Sequence, residues 1–125
     1  MNVKKIAVRR KLASKAYNVM GRMWIEGKEG TFLGYGRVVL LERIRQYGSI
    51  TGAAKSMNMS YKHAWELVYS MNRQSKKPLV ETATGGKGGG GARLTEAGDR
   101  AISVFWSLYK SFKNFLTERV EFLDL

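Results

Sequence analysis

SITGAAKSMNMSYKHAWELVYSMNR, residues 49–73, is the stretch on which the fold turns. Ser49 or Thr51 is a candidate N-cap, because a hydroxyl there accepts a hydrogen bond from an otherwise unpaired first-turn N–H. Ile50, Ala53, Ala54 and Met57 recur at spacings of three and four, so a short helix with a small apolar face follows. Asn58-Met59 breaks it. Ser60 can then cap a second helix, from Tyr61 to about Asn72, with Tyr61, Ala64, Trp65, Val68 and Met71 on its apolar face. Lys62, Glu66, Tyr69 and Arg73 lie opposite, with His63 at the edge. Two short helices joined by a three- or four-residue turn, the second showing polar and basic groups, make a helix-turn-helix pattern. In that motif the N-terminus of the second helix enters the major groove of DNA.

Working outward, two short apolar runs before this stretch flank Gly27 and Gly30 and predict a β-hairpin that ends near Thr31-Phe32-Leu33. A helix is expected over about 37–47, with Leu40, Leu41 and Ile44 at helical spacing and Gly48 as its stop. On the other side, 79–82 and 92–94 look like strands, and between them six of the seven residues from Gly85 to Gly91 are glycine. Thr95 can cap a long last helix, expected over 95–123, with Glu96 and Asp99 near its positive end. Ala101, Phe105, Leu108, Phe112, Phe115 and Phe122 follow a 4-3-4-3-7 spacing, an apolar stripe suited to pairing two copies.

The glycine run admits three readings. A Walker loop needs glycine at position 81, which is Glu81, and Ser or Thr after Lys87, which is followed by Gly88. A dinucleotide fingerprint needs a helix directly after it inside a βαβ unit, and neither is present. A plain linker would leave 34 residues whose helix has a wide apolar face still to bury. Flanking strands favour a β-hairpin tip, a wing, where backbone N–H groups and Lys87 come close to phosphate. Such a tip is expected to be mobile without DNA.

Charge supports this direction. The net charge is +12. Residues 1–30 carry eight basic against two acidic side chains and residues 55–93 seven against two, while from Leu94 onward there are four against five. A positive field confined to the first three quarters of the chain suits a polyanionic partner. There is no cysteine, His63 is the only histidine, and the acids are scattered, so no metal cluster or catalytic triad is expected. We expect no enzyme and no cofactor. The longest aliphatic run is Val38–Leu41, far short of the roughly 20 residues of a membrane span, and no apolar segment of signal-peptide type follows the basic start. The expected location is cytoplasmic.

Ser60-Tyr61-Lys62-x-Ala64-Trp65, then Met71-Asn72, and ATGGKGGGGA ahead of Leu94-Thr95, resemble the N-terminal DNA-binding domain of the ModE family of molybdate-responsive transcription regulators. The likeness runs from about Gly21 to the tail. It implies a winged helix related to LysR-type DNA-binding domains and a dimer to which the long last helix contributes. Full-length members carry a molybdate-binding region after this domain. With the sequence ending at Leu125, direct molybdate binding is not expected, and the chain is similar to the short, DNA-binding-only members.

The expected architecture is therefore mostly α with small β-hairpins: a basic arm over 1–17, then a winged helix-turn-helix over 18–125 that includes the dimerisation helix 95–123. Lys62 and His63 are the expected groove contacts. Ser60 is a cap and a possible phosphate donor. Tyr61 and Trp65 are expected mainly in the core, with Tyr61 able to lean on the backbone of DNA. Lys55, Arg73, Lys76 and Lys77 are phosphate-contact candidates, as are Lys87 and Arg93 on the wing. Phe105, Leu108, Phe112, Phe115 and Phe122 are the dimerisation candidates. The expected function is sequence-specific transcription regulation by a homodimer on double-stranded DNA. The alternatives are a nonspecific architectural nucleic-acid-binding protein and a DNA-binding module whose partner supplies the effector domain.

Overall fold

The structure, a computed structural model, describes residues 16–83 and 90–125. The arm expected over 1–17, apart from its last two residues, and the wing tip with Lys87 lie outside them. Contacts cluster into two compact units, Trp24–Trp106 on its own and Ser107–Leu125 with the described residues up to Met23.

The first unit opens with strands β1 (Ile25–Gly27) and β2 (Gly30–Leu33), an antiparallel hairpin turning at Lys28-Glu29. Helix α1 (Tyr35–Tyr47) follows and starts two residues earlier than expected. Val38, Leu40, Leu41 and Ile44 are all buried, which makes α1 the central helix around which the others pack. It ends at Gly48, whose φ of 71° is left-handed and open to glycine without strain.

Ser49 caps α2 (Ile50–Ser56), its hydroxyl accepting from the Gly52 N–H at 2.9 Å. Ala53 and Ala54 are fully buried, so small side chains let α2 sit close to its neighbours. The turn that follows contains Asn58 at φ 52°, a left-handed value that asparagine tolerates better than other non-glycine residues. The Met59 N–H returns to the Ala54 carbonyl at 3.0 Å and closes the turn.

Helix α3 (Tyr61–Gln74) is capped by Ser60, which accepts from the His63 N–H at 3.1 Å, and runs two residues beyond its expected end. Strands β3 (Val80–Thr82) and β4 (Ala92–Leu94) pair antiparallel with Glu81 opposite Arg93. The ladder continues outward through Ala83 N–H to Gly91 O at 2.9 Å. The strands flanking the glycine run thus form the hairpin that the wing reading requires.

Helix α4 (Glu96–Arg119) begins where the Thr95 hydroxyl accepts from the Gly98 N–H at 3.0 Å and ends in a single 3₁₀ turn, Val120–Phe122. Within the unit Trp24–Trp106, Gly98 lies against the Leu79 carbonyl so tightly that a Cβ at this position has no room. Ile102 and Phe105 complete that unit's core. In the other unit, Leu116 and Val120 are buried.

Candidate nucleic-acid interface

Ala64, Val68 and Met71 face the core, and they fix which side of α3 looks outward. A step of four residues advances a helix by about 40° beyond a full turn. The row Tyr61, Trp65, Tyr69, Arg73 therefore lies beside the buried row and winds steadily away from it. Tyr61 is 54% exposed, Trp65 44% and Tyr69 48%. This corrects the expectation that Tyr61 and Trp65 are core side chains. Hydrophobicity puts both on the apolar face, whereas burial follows Ala64, Val68 and Met71.

Lys62 and His63 are exposed on the first turn of α3, above the Ser60 cap. The uncompensated N–H groups of that turn add partial positive charge beside them. Lys55, at the end of α2, is exposed, as are Lys76 and Lys77 in the loop after α3. Among the described residues no ion pair ties up Lys55, Lys62, Lys76 or Lys77.

Two other candidates are partnered. The Arg73 guanidinium is held by the Glu29 carboxylate in the β1–β2 turn and lies 5.4 Å from the centre of the Tyr69 ring. Arg93 donates to Glu81 at 2.8 and 3.2 Å across the wing. Both pairs are about half exposed or more, so each contributes at most about 1 kcal/mol and either arginine can exchange its carboxylate for a phosphate.

Several residues that set this geometry carry no charge. Asn72 accepts from the N–H groups of Leu79 (2.8 Å) and Val80 (3.2 Å) and donates to the Val80 carbonyl (2.9 Å), fixing the wing to the end of α3. Gln74 accepts from the Glu29 N–H and donates to the Thr31 carbonyl, fixing the first hairpin to the same helix end. The Ala92 N–H reaches the Gly48 carbonyl at 2.9 Å, which joins β4 to the corner between α1 and α2. Arg37 donates to the Ser70 hydroxyl at 3.0 Å. Burial pushes its pKa below the ordinary arginine value, yet a guanidinium stays charged at any physiological pH. In the sequence Asn72 stands out only as part of a motif, and Gln74 and Arg37 do not stand out at all. An amide just past a helix's core row and ahead of a strand is the signal present there.

The dimerisation candidates divide. Phe105 is fully buried inside Trp24–Trp106, in edge-to-face contact with Trp106. In the other unit Leu108, Phe115 and Phe122 are exposed and Phe112 is half-buried, with the Arg119 guanidinium 4.6 Å from the Phe115 ring centre. Among the described residues no His, Cys, Asp or Glu cluster suits a metal ion, and no helix is long and apolar enough to cross a membrane.

Residues 36–99 match the bacterial regulatory helix-turn-helix proteins of the lysR family, a span that runs from the start of α1 through the wing into α4. The chain is 39% identical over 108 residues to the molybdenum transport protein ModE of Azotobacter vinelandii, covering 84% of this chain and 40% of that protein. It is 51% identical over 69 residues to the DNA-binding transcriptional dual regulator ModE of Escherichia coli K12, covering 55% and 26%. With the molybdenum-pterin-binding protein MopA of Rhodobacter capsulatus it shares 48% over 73 residues, covering 58% and 28%. The chain thus spans two fifths or less of the length of these relatives.

Proposed function

The chain belongs to the lysR family of bacterial regulatory helix-turn-helix proteins, with a ModE-like DNA-binding domain, and from that premise we propose that it is a sequence-specific transcription regulator of double-stranded DNA. The observation that carries this reading is the outward face of α3. Its capped first turn holds Lys62 and His63 toward solvent, and the exposed Lys55 ahead of that turn, with Lys76 and Lys77 past the far end of the helix, have no ion-pair partner among the described residues. Lys62 and His63 meet base edges, Ser60 and the surrounding lysines meet phosphate, and the wing with Lys87 and Arg93 lies along the adjacent backbone.

The protein acts as a homodimer through α4 and the turn after it, by the exposed Leu108, Phe115 and Phe122. Its operator is then an inverted repeat with half-sites about one helical turn apart, or a multiple. It is a cytoplasmic, non-catalytic protein. DNA contact is the role assigned to these residues, and the chain covers two fifths or less of the relatives whose names carry molybdenum. Selection of bound duplexes from a random-sequence library tests the reading. A recovered palindromic motif supports it, and uniform binding controlled by salt alone rejects it.

A further inference from the structure

On the outward side of α3 the Trp65 and Tyr69 rings stack, with centroids 5.2 Å apart and planes 11° from parallel. Both rings are nearly half exposed, and Arg73 sits over the Tyr69 face. The pair is thus a preformed apolar platform whose geometry is set before any partner arrives. Leaving that much aromatic surface in water is unfavourable, so a partner that covers it gains the hydrophobic term. The polar rim of the platform is mixed: Lys62 and Glu66 are exposed on the same helix, and Arg73 is paired with Glu29. The occupant is therefore set by the DNA-binding reading of α3, a duplex that carries apolar groups among its anionic phosphates. In the major groove of DNA the apolar group is the C5-methyl of thymine. Trp65 stands in the second turn of α3, about 6 Å along the axis from Tyr61, within the part of a recognition helix that lies in the groove.

We propose that the Trp65–Tyr69 stack reads thymine methyl groups, which makes Trp65 a specificity determinant alongside the polar contacts of Lys62 and His63. This rests on the DNA-binding reading above and adds to it a base class and a mechanism. Lys62 and His63 select by hydrogen bonds, whereas the ring pair selects by burying a methyl that cytosine and uracil lack.

The test uses duplexes recovered from a random-sequence library and resynthesised with deoxyuridine for thymidine, which removes the methyl and keeps Watson–Crick pairing. Wild-type protein should bind the uracil duplex about fourfold more weakly for each methyl buried under the rings, the effect of one buried carbon. Trp65→Ala should fold normally, since the side chain is exposed, and should bind thymine and uracil duplexes alike. Trp65→Phe should keep part of the preference. Equal binding of both duplexes by the wild type overturns the proposal while leaving the DNA-binding reading in place. So does a selected motif without thymine, or a thymine preference that survives Trp65→Ala, as would follow if the rings cover a protein partner instead. Recovery of no motif at all rejects the DNA-binding reading and this inference with it.

Discussion

Arg73 at the end of the recognition helix and Glu29 in the first hairpin turn form an ion pair that spans 44 residues of sequence. The arginine is thereby offered to one carboxylate while it stands near the face assigned to DNA. Because the pair is about half exposed, it contributes at most about 1 kcal/mol to stability. Glu29→Gln should leave thermal stability almost unchanged and tighten binding to duplex DNA. The plot of log affinity against log salt should steepen by up to about 0.9, one further counterion released. Fluorescence anisotropy over a sodium chloride series measures this. Weaker binding by Glu29→Gln would mean that the pair positions the helix instead of withholding a charge.

Asn72 connects α3 to the wing through three hydrogen bonds to the backbone of Leu79 and Val80, both buried residues. Asn72→Ala leaves those amides without partners and should lower unfolding stability by about 2–3 kcal/mol in urea titration. Asn72→Asp keeps both accepted bonds but turns a carboxylate oxygen toward the Val80 carbonyl, so its loss should shrink toward low pH, where the protonated acid can donate there. An aspartate variant that stays as unstable as the alanine variant at low pH would remove the acceptor role from this account.

The helix-turn-helix was legible in the sequence because its signals are local. Ser49 and Ser60 are both caps, Gly48 is the stop, and the alanines of α2 are its buried side. The wing hairpin was legible from strand-like residues on both sides of the glycines. Trp65 was not, because hydrophobicity says that a ring prefers burial and says nothing of whether a neighbouring helix is there to bury it. The pairings of Arg73 with Glu29 and of Arg93 with Glu81 were hidden for a related reason. Long-range and cross-strand partners depend on register, which a list of charges does not contain.

Gly98 offers a test in which helix propensity and packing disagree. In a helix interior, alanine is normally favoured over glycine by about 0.5–1 kcal/mol. Here a Cβ would collide with the Leu79 carbonyl, a backbone atom that cannot turn aside as a side chain would. Gly98→Ala should therefore destabilise the protein, by about 1–3 kcal/mol as expected for overpacking. Urea denaturation gives the sign, and a stabilised variant would show that α4 and the Leu79 backbone can move apart with little loss.

If α4 pairs two copies, its exposed apolar residues are what they bury. Leu108→Asp together with Phe115→Asp removes two side chains, each worth about 1.5–3 kcal/mol when covered. The dimer should weaken by roughly a hundredfold or more. Sedimentation velocity over a concentration series would show the shift to monomer, with the circular dichroism spectrum retained. A double variant that sediments like the wild type would place the dimer contact elsewhere.

Phosphate contacts and base contacts are separable because only the second depend on which duplex is offered. Lys87→Ala should weaken binding to selected and unrelated duplexes by the same factor and reduce the salt slope by about 0.9. His63→Ala, on the exposed first turn of α3, should leave the salt slope nearly unchanged and alter the ranking among duplexes that differ at one half-site position. The affected position should show a change of about 1–3 kcal/mol, the usual scale for a base-edge contact. Competition titrations with each single-base variant of the selected motif would measure both quantities on the same samples. Should the two substitutions prove indistinguishable, α3 and the wing hold DNA by charge alone, and the protein's preference among sequences must come from elsewhere on its surface.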